Sequence, residues 1–306
     1  MVKVGYQVVA LDNLQGGHRQ AVAKEAVFLQ QDMEDKAGLA RLFAQHDIEA
    51  VMHLAAEIQV GASMTDPHHY FVANVALGLN LLEAMIKARV SRFVFSSTTA
   101  VYGEPQQIPM SEEHPLSPVN PYGEAKLMFE RILGWCGPAY GLRHIILRYF
   151  NAAGATTELG EDHRPETHLI PRLLRVALGK EPFIPVYGTD YQTKDGTSVR
   201  DYIHVHDIAR AHILALKALD RMERGVFNLG SGRGHTVLEV IQAAREVTGT
   251  AIPSQFMGRR SGDAEQLIAD AHRARLELGW EAADSDLKHI VASAWEWQRA
   301  HPDGYG

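Results

Sequence analysis

The run RFVFSSTTAVYG spans residues 92–103, and NPYGEAK spans residues 120–126. After Arg92 the first runs through apolar, β-favouring side chains. Within a few positions it turns to the hydroxyls of Ser96, Ser97, Thr98 and Thr99. It reads as a strand over residues 92–97 whose carboxyl end is rich in hydroxyl groups. The second run places Pro121 at the first turn of a helix that continues to Tyr140. An apolar strand followed by a long helix is the repeating unit of a parallel sheet covered on both faces. Such sheets bind ligands at the carboxyl ends of their strands.

Outward from this pair, the alternation recurs. Residues 7–11 read as a strand ending at Asp12, residues 27–30 as a second strand and residues 36–46 as a helix. Residues 50–55 read as a strand, and residues 67–88 as a helix capped by Asp66. Residues 144–150 form the next strand and residues 169–178 a short helix. A turn-rich stretch, 179–198, follows. Strands at 199–205 and 226–229 then alternate with helices from Asp207 to Leu219 and over 236–248, 271–278 and 287–299. The expected fold class is α/β, a doubly wound parallel sheet over residues 1–154 with a smaller α/β lobe over residues 155–306. Residues 199–219 have the option of rejoining the first sheet.

Composition narrows the function. The chain has 306 residues, 46% hydrophobic and 22% charged, with a net charge of −7. That is enough for one large domain or two closely associated ones. The basic residues are scattered, so nothing points to a nucleic-acid or membrane-surface partner. The single cysteine, Cys136, rules out an intrachain disulfide and a cysteine-rich metal site, and fits a reducing compartment. No apolar run is read as approaching the roughly 18–20 residues that cross a bilayer, and the first residues lack a signal peptide's apolar stretch. A soluble cytoplasmic protein is the expectation.

Asp12 follows a strand and precedes Asn13. In dinucleotide-binding, Rossmann-like sheets an acidic residue at such a strand end accepts the adenosine ribose hydroxyls, about 20 residues after the glycine-rich turn that takes the pyrophosphate. Counting back from Asp12 passes Met1. The glycine loop, the central first strand and most of the first helix are therefore expected to precede it, making the sheet N-terminally truncated. Residues 1–6 then end that helix, with a turn at Gly5. Taken alone, Asp12 is equally a turn residue. Gly230-Ser231-Gly232-Arg233-Gly234 also follows a strand, but its G-x-G-x-G spacing lacks the final glycine. A tight turn before a helix capped near Thr236 is expected there.

Tyr122 and Lys126, at i and i+4, share one helix face. An ammonium beside a phenol favours phenolate and lowers the tyrosine pKa, making it a usable base near neutral pH. Alone, the spacing equally fits a solvated pair. Pro121 at the helix start and the hydroxyl-rich strand end before it favour chemistry, because one of those hydroxyls can hydrogen-bond a reacting hydroxyl. His204-Val205-His206 puts two imidazoles on one face of a strand, but no further ligand set accompanies them. His68-His69 reads as a solvated helix start. No metal is expected.

The runs LDNL (11–14), HLAA (53–56), VGAS (60–63), ANV (73–75), FSSTTAVYG (95–103), NPYGEAKLMFE (120–130), LRYFNAAGA (147–155), GTDYQTKDGTSVRDYIHVHDIA (188–209), FNLGSGRGHTV (227–237), RRSGD (259–263) and WEWQRAHPDGY (295–305) together resemble the UDP-glucose 4-epimerase family of extended short-chain dehydrogenases/reductases. The resemblance covers nearly the whole chain, and the stretch 188–209 is its most specific part. It implies NAD bound by residues 1–154 and a nucleotide sugar by residues 155–306. By position, Tyr122 would be the base, Lys126 its partner and nicotinamide-ribose anchor, and Thr98 the hydroxyl companion. Asp12 and Asn13 would hold the adenosine ribose, Asp32 and Met33 would flank the adenine, and Leu54, Ala55 and Asn74 would line the cofactor. Tyr149 would lie against the nicotinamide and Asn151 would meet the sugar. Arg200 and Arg260 would neutralise the diphosphate, and Asp263 would accept from the uridine ribose. Leu267 falls where the family sets pocket size near the sugar 2-substituent. It is intermediate between the aromatic that favours plain hexoses and the small residue that admits N-acetyl sugars.

The reaction so implied is reversible C4 epimerisation of UDP-glucose and UDP-galactose through a transient 4-keto sugar and bound NADH, in galactose metabolism. The partners implied are a UDP-hexose and a second copy of the chain, joined as a homodimer through a helix bundle. The sequence departs from the family in the absent glycine loop and in Ile58, where several relatives carry a cofactor-binding lysine. Two alternatives remain at this point. One is a truncated, non-catalytic relative. The other is a nucleotide-sugar 4,6-dehydratase, although Thr99 and Ala100 stand where those enzymes carry Asp-Glu.

Overall fold

The computed structural model describes residues 1–260 and 262–306, and Ser261 of the RRSGD run lies outside the described residues. In chain order the elements are β1 (Val9–Asp12), β2 (Val27–Gln30), α1 (Lys36–Gln45), β3 (Val51–His53), α2 (Val60–Thr65), α3 (Pro67–Phe71), α4 (Leu77–Lys87), β4 (Arg92–Thr98) and α5 (Pro121–Tyr140). They continue with β5 (Arg143–Tyr149), β6 (Asn151–Ala153), α6 (Leu169–Ala177), β7 (Ile184–Tyr187), β8 (Val199–His204), α7 (Val205–Ala218) and β9 (Arg224–Leu229). The rest are β10 (Gly234–Thr236), α8 (Val237–Thr248), β11 (Ser254–Met257), β12 (Gln266–Leu267), α9 (His272–Leu278) and α10 (Leu287–Ala300).

Local chemistry sets many of the boundaries. Asp35, Asp66, Asn120 and Asp286 accept backbone N–H groups in the first turns of α1, α3, α5 and α10. Thr236 and Glu239 form a reciprocal capping box at the start of α8. The helix expected over 67–88 is present, but a π-helical turn over Val72–Ala76 separates α3 from α4. By length and composition alone, Pro67–Lys87 could cross a membrane, contrary to the sequence expectation. Its Leu81, Leu82 and Met85 instead join a buried cluster with Phe93, Phe95 and Phe129.

The chain divides into two compact units. The first comprises Met1–Gly103, Leu116–Arg148 and His212–Phe227. It holds the parallel pair β1–β2 and a separate four-stranded sheet of order β3-β4-β5-β9, in which β3 and β4 run parallel. Phe93, Phe95, Phe129, Leu39 and Leu133 are fully buried in its core. The second unit comprises Glu104–Pro115, Tyr149–Ala211 and Asn228–Gly306. There β8 pairs with β10, β12 and β6, and β7 pairs with β11. Leu173, Leu174, Val186, Val240, Ile290 and Val291 fill that core.

This division differs from a single cut near residue 154. The chain leaves and re-enters the first unit, because β9 pairs beside β5 in the four-stranded sheet. Of the stretch 199–219 given the option of rejoining, β8 is instead the centre of the second unit's sheet, whereas residues 212–219 belong to the first unit. Asp207 also differs from its expected role as a cap. It sits inside the first turn of α7, fully buried, with its carboxylate bonded to Arg210 Nη2 (2.6 Å), the Asp284 N–H (2.9 Å) and Ser285 Oγ (2.6 Å).

Candidate active site

In the first unit β4 ends at Thr98, whose Oγ1 accepts from the Ala100 N–H at 3.2 Å and opens a short 3-10 turn over Thr99–Val101. The start of α5 rests directly on that turn. A Cβ added at Gly123 would stand 2.4 Å from the Ala100 carbonyl oxygen, so only glycine permits the approach. Tyr122 lies between Pro121 and Gly123 in this first turn. One turn further, Lys126 is 3% exposed. Its Nζ donates to the Ser96 carbonyl at 3.0 Å and stands 4.9 Å over the Phe95 ring. Burial lowers its pKa to about 8, against the pull of the Glu130 charge. Thr98, the turn that follows it and the first turn of α5 therefore belong to one local assembly.

Beneath it lies a network that the sequence reading missed. Ser97 Oγ donates to Glu130 Oε1 at 2.5 Å. Arg148 grips both carboxylate oxygens of Glu130, with Nε to Oε1 at 3.0 Å, and its Nη1 donates to Tyr102 Oη at 3.0 Å. Ser96 Oγ lies 2.9 Å from His212 Nε2. His53, at the end of β3, stacks among Phe93, Phe95 and Phe129. Burial, and secondarily the Lys126 charge, push its pKa down to about 3, so the ring is neutral.

Except for Tyr149, the residues expected to hold a dinucleotide lie in the same unit. Asp12 Oδ1 accepts from the Leu14 N–H at 2.7 Å. Asn13 Nδ2 donates to Asp32 Oδ2 at 2.7 Å, and Asp32 Oδ1 accepts from the Glu34 N–H at 2.8 Å. Asn80 Nδ2 donates to the Met33 carbonyl at 3.1 Å. A Cβ at Gly17 would meet the Asp12 carboxylate at 2.7 Å, so that glycine keeps the carboxylate uncovered. Leu54 is 58% exposed just past β3, and Ala55 beside it is exposed as well. Asn74 is buried. Its amide donates to the Glu57 carbonyl at 2.9 Å and accepts from the Glu57 N–H at 2.8 Å, so it shapes the segment after β3. An uncovered carboxylate at one strand end, an exposed apolar edge at another and a desolvated amine fit a dinucleotide.

In the second unit Tyr149 ends β5, and Asn151 lies opposite Tyr202 in the β6–β8 pairing. Leu267 lies opposite Arg200 in the β12–β8 pairing. Arg260 Nε donates to Asp263 Oδ2 at 2.9 Å, and its guanidinium lies 4.7 Å over the Tyr187 ring. Arg200 Nη2 is 4.0 Å from the other Asp263 oxygen. Burial lowers the pKa of Arg200 and Asp263 opposes that shift. Two forked cations converging on one carboxylate suit a doubly charged phosphate ligand. Arg200, Arg260, Asp263 and Leu267 are thus brought together.

The loop Gly230–Gly234 behaves as a turn. Gly232 has φ +73°. The buried Asp201 accepts from the Ser231 N–H, Ser231 Oγ, the Gly232 N–H and the Ala269 N–H at 2.6–3.1 Å, which engages the amides a phosphate would need. The histidine alternation fails, because the strand ends at His204 and α7 begins at Val205. His204 Nε2 faces Ser293 Oγ at 3.0 Å while His206 Nδ1 faces Asp284 at 2.8 Å, so the rings do not converge.

Residues 1–230 match the model of the NAD dependent epimerase/dehydratase family, and the chain belongs to that family. Within it, the similarity is to UDP-glucose 4-epimerases. The enzyme of Lacticaseibacillus casei is 48% identical over 309 residues, which cover all of this chain and 93% of that protein. A crystal structure of a UDP-glucose 4-epimerase superposes with a TM-score of 0.97 at 47% identity, covering 100% of this chain and 94% of that one. The Bifidobacterium longum enzyme, solved with NAD+ and UDP, superposes with a TM-score of 0.95 at 38% identity, covering 99% and 94%.

Proposed function

We infer that this chain interconverts UDP-glucose and UDP-galactose at C4 with bound NAD. Tyr122 takes the proton of the sugar 4-hydroxyl and returns it after the sugar has turned over. Lys126, an ammonium on the same helix face, stabilises negative charge on the phenolate oxygen and reaches the nicotinamide ribose. Thr98 hydrogen-bonds the reacting hydroxyl. Asp12 and Asn13 hold the adenosine ribose, Asp32 and Met33 flank the adenine, and Leu54, Ala55, Asn74 and Tyr149 border the cofactor. Bound NAD supplies reversible hydride acceptance at the sugar carbon and is regenerated in each turnover. Arg200 and Arg260 hold the diphosphate, Asp263 the uridine ribose, and Asn151 and Leu267 border the sugar. Because these contacts are remote from C4, they retain the intermediate while its hexose ring rotates.

The observation that carries this reading is the buried Lys126, hydrogen-bonded at the hydroxyl-lined end of β4 one turn after Tyr122. Tyr122→Phe is expected to abolish conversion of UDP-galactose while UDP binding by calorimetry persists. Near-normal turnover of that variant would remove Tyr122 from the reaction. An inactive parent chain would favour the non-catalytic alternative. A dehydratase is disfavoured because Thr99 and Ala100 supply neither acid nor base.

The working compartment is the cytoplasm and the working form a homodimer. Trp135, 79% exposed, and Met128, 38% exposed, lie seven residues apart on α5, an apolar stripe suited to pairing with its copy. A solution mass equal to one chain at micromolar concentration would overturn the dimer.

A further inference from the structure

Residues 188–209 carry Arg200, and they also carry Tyr191, which is 5% exposed. Its hydroxyl is buried and makes no hydrogen bond. A phenol taken out of water without a replacement bond destabilises the fold that buries it. Packing does not account for it, because phenylalanine would fill the same space without a stranded hydroxyl.

Two bonds flank Tyr191 and hold it against the segment that carries Arg260 and Asp263. Arg259 Nε donates to Asp190 Oδ1 at 2.7 Å, and the Gln192 N–H donates to Glu265 Oε2 at 3.0 Å. The Arg259 guanidinium covers the ring at 4.0 Å from its centroid. The Tyr191 N–H donates to the Gly196 carbonyl at 3.0 Å, and the Tyr191 carbonyl accepts from the Thr193 N–H at 2.8 Å. A Cβ at Gly188, where φ is +78°, would stand 2.4 Å from Tyr191 Cε2, so only glycine leaves room for the ring. The charges acting on the hydroxyl are those of Asp263, Arg259, Arg200 and Asp190.

We propose that the Tyr191 hydroxyl donates a hydrogen bond to a phosphate oxygen of the bound nucleotide diphosphate, beside Arg200 and Arg260. The inference rests on the UDP-sugar reading above and adds a neutral donor to its two cations. Burial raises the phenol's pKa, and Asp263 adds to the rise against Arg259 and Arg200. The hydroxyl therefore keeps its proton at neutral pH and acts as a donor. The neighbouring carboxylates are already engaged, Asp263 by Arg260 and Asp190 by Arg259. Arg259 is thereby committed to Asp190 and to the ring. A diphosphate supplies acceptor oxygens only, and an ionised acceptor makes the stronger bond. Because the ring is fixed on both sides, little further freedom is lost when that bond forms.

Tyr191→Phe keeps the ring and removes the donor. Without ligand, its urea midpoint is expected to equal or exceed the parent's, since an unsatisfied buried hydroxyl has gone. Its affinity for UDP by calorimetry should fall about tenfold or more, with KM for UDP-galactose rising alongside, while its affinity for uridine by competition should stay within about twofold. A smaller loss of UDP affinity overturns the contact. Equal losses for UDP and uridine would assign the hydroxyl to the nucleoside and overturn its place on the diphosphate. A lowered midpoint would make the hydroxyl a structural bond of the chain itself and overturn the proposal as well. A parent chain that binds UDP yet leaves UDP-galactose unconverted would remove the epimerase reading, and the loss of UDP affinity in Tyr191→Phe would still support this contact.

Discussion

Lys126 and Glu130 lie one helical turn apart on α5, both buried, and bond to different partners. Lys126 Nζ donates to the Ser96 carbonyl, whereas Glu130 binds Ser97 and Arg148. The spacing alone suggests an i, i+4 ion pair. By giving Glu130 a guanidinium of its own, the fold leaves the ammonium with a neutral acceptor in a poorly solvated place. That is why its pKa falls.

Removing that charge should separate stability from activity. A lysine whose pKa is lowered by folding holds its proton less tightly than in the unfolded chain. The cost is fully present below about pH 8, fades as pH rises from there, and is gone above the unfolded value near 10.5. Lys126→Met is expected to raise unfolding free energy at pH 7 by up to about 3 kcal/mol, measured in urea, while turnover falls at least 100-fold. In the parent enzyme, turnover should decline as pH rises through about 8. A destabilised Lys126→Met would show that the Ser96 bond outweighs desolvation.

Glu130→Gln should be severe. Arg148 and Glu130 side chains are 4% and 5% exposed, so the substitution strands a buried guanidinium. The expected loss is about 3–5 kcal/mol by denaturant unfolding, and Glu130→Leu/Arg148→Met should recover most of it. Equal losses in the single and double variants would mean that packing, not charge, dominates.

Asp201 is the hub of the second unit. Burial raises its pKa, even though four donors stabilise its charged form. Asp201→Ala leaves the Ser231, Gly232 and Ala269 donors without their acceptor. A loss of about 2–4 kcal/mol is expected, with faster amide exchange concentrated at Ser231, Gly232 and Ala269. Unchanged protection at these amides would assign the loop's order to its glycines instead.

Leu267 tests substrate breadth. It lies opposite Arg200 across β12–β8, one of the two arginines proposed to hold the diphosphate. Leu267→Tyr is expected to lower kcat/KM for UDP-N-acetylgalactosamine at least tenfold while that for UDP-galactose changes by about threefold or less. Equal effects on both would place Leu267 away from the sugar 2-substituent.

Much of this site was legible from short-range signals. Pro121 after Asn120 marked the start of α5, and Tyr122 and Lys126 followed by helical spacing. The hydroxyls ending β4 were visible as a change of composition. Thr236 announced the cap of α8. The meeting of Glu161, His163, Glu166 and His168 was not anticipated because these residues do not follow helix or strand periodicity. They converge only through the irregular path of residues 161–168. His204 and His206 misled for the opposite reason, since a regular spacing was read across a strand end that the sequence did not mark.

By itself the sequence determined most of the helices, the strands of the first unit and several of the caps, because backbone hydrogen bonding and capping are settled among residues a few positions apart. Only the tertiary structure decided which buried charges meet. Arg148 reaches Glu130 across 18 positions and the Ala269 N–H reaches Asp201 across 68. Tertiary structure also sent β9 back to the first unit's sheet and made β8 the centre of the second. Desolvation makes each such pairing strongly favourable or strongly unfavourable, and no local spacing encodes which distant group will arrive to satisfy it.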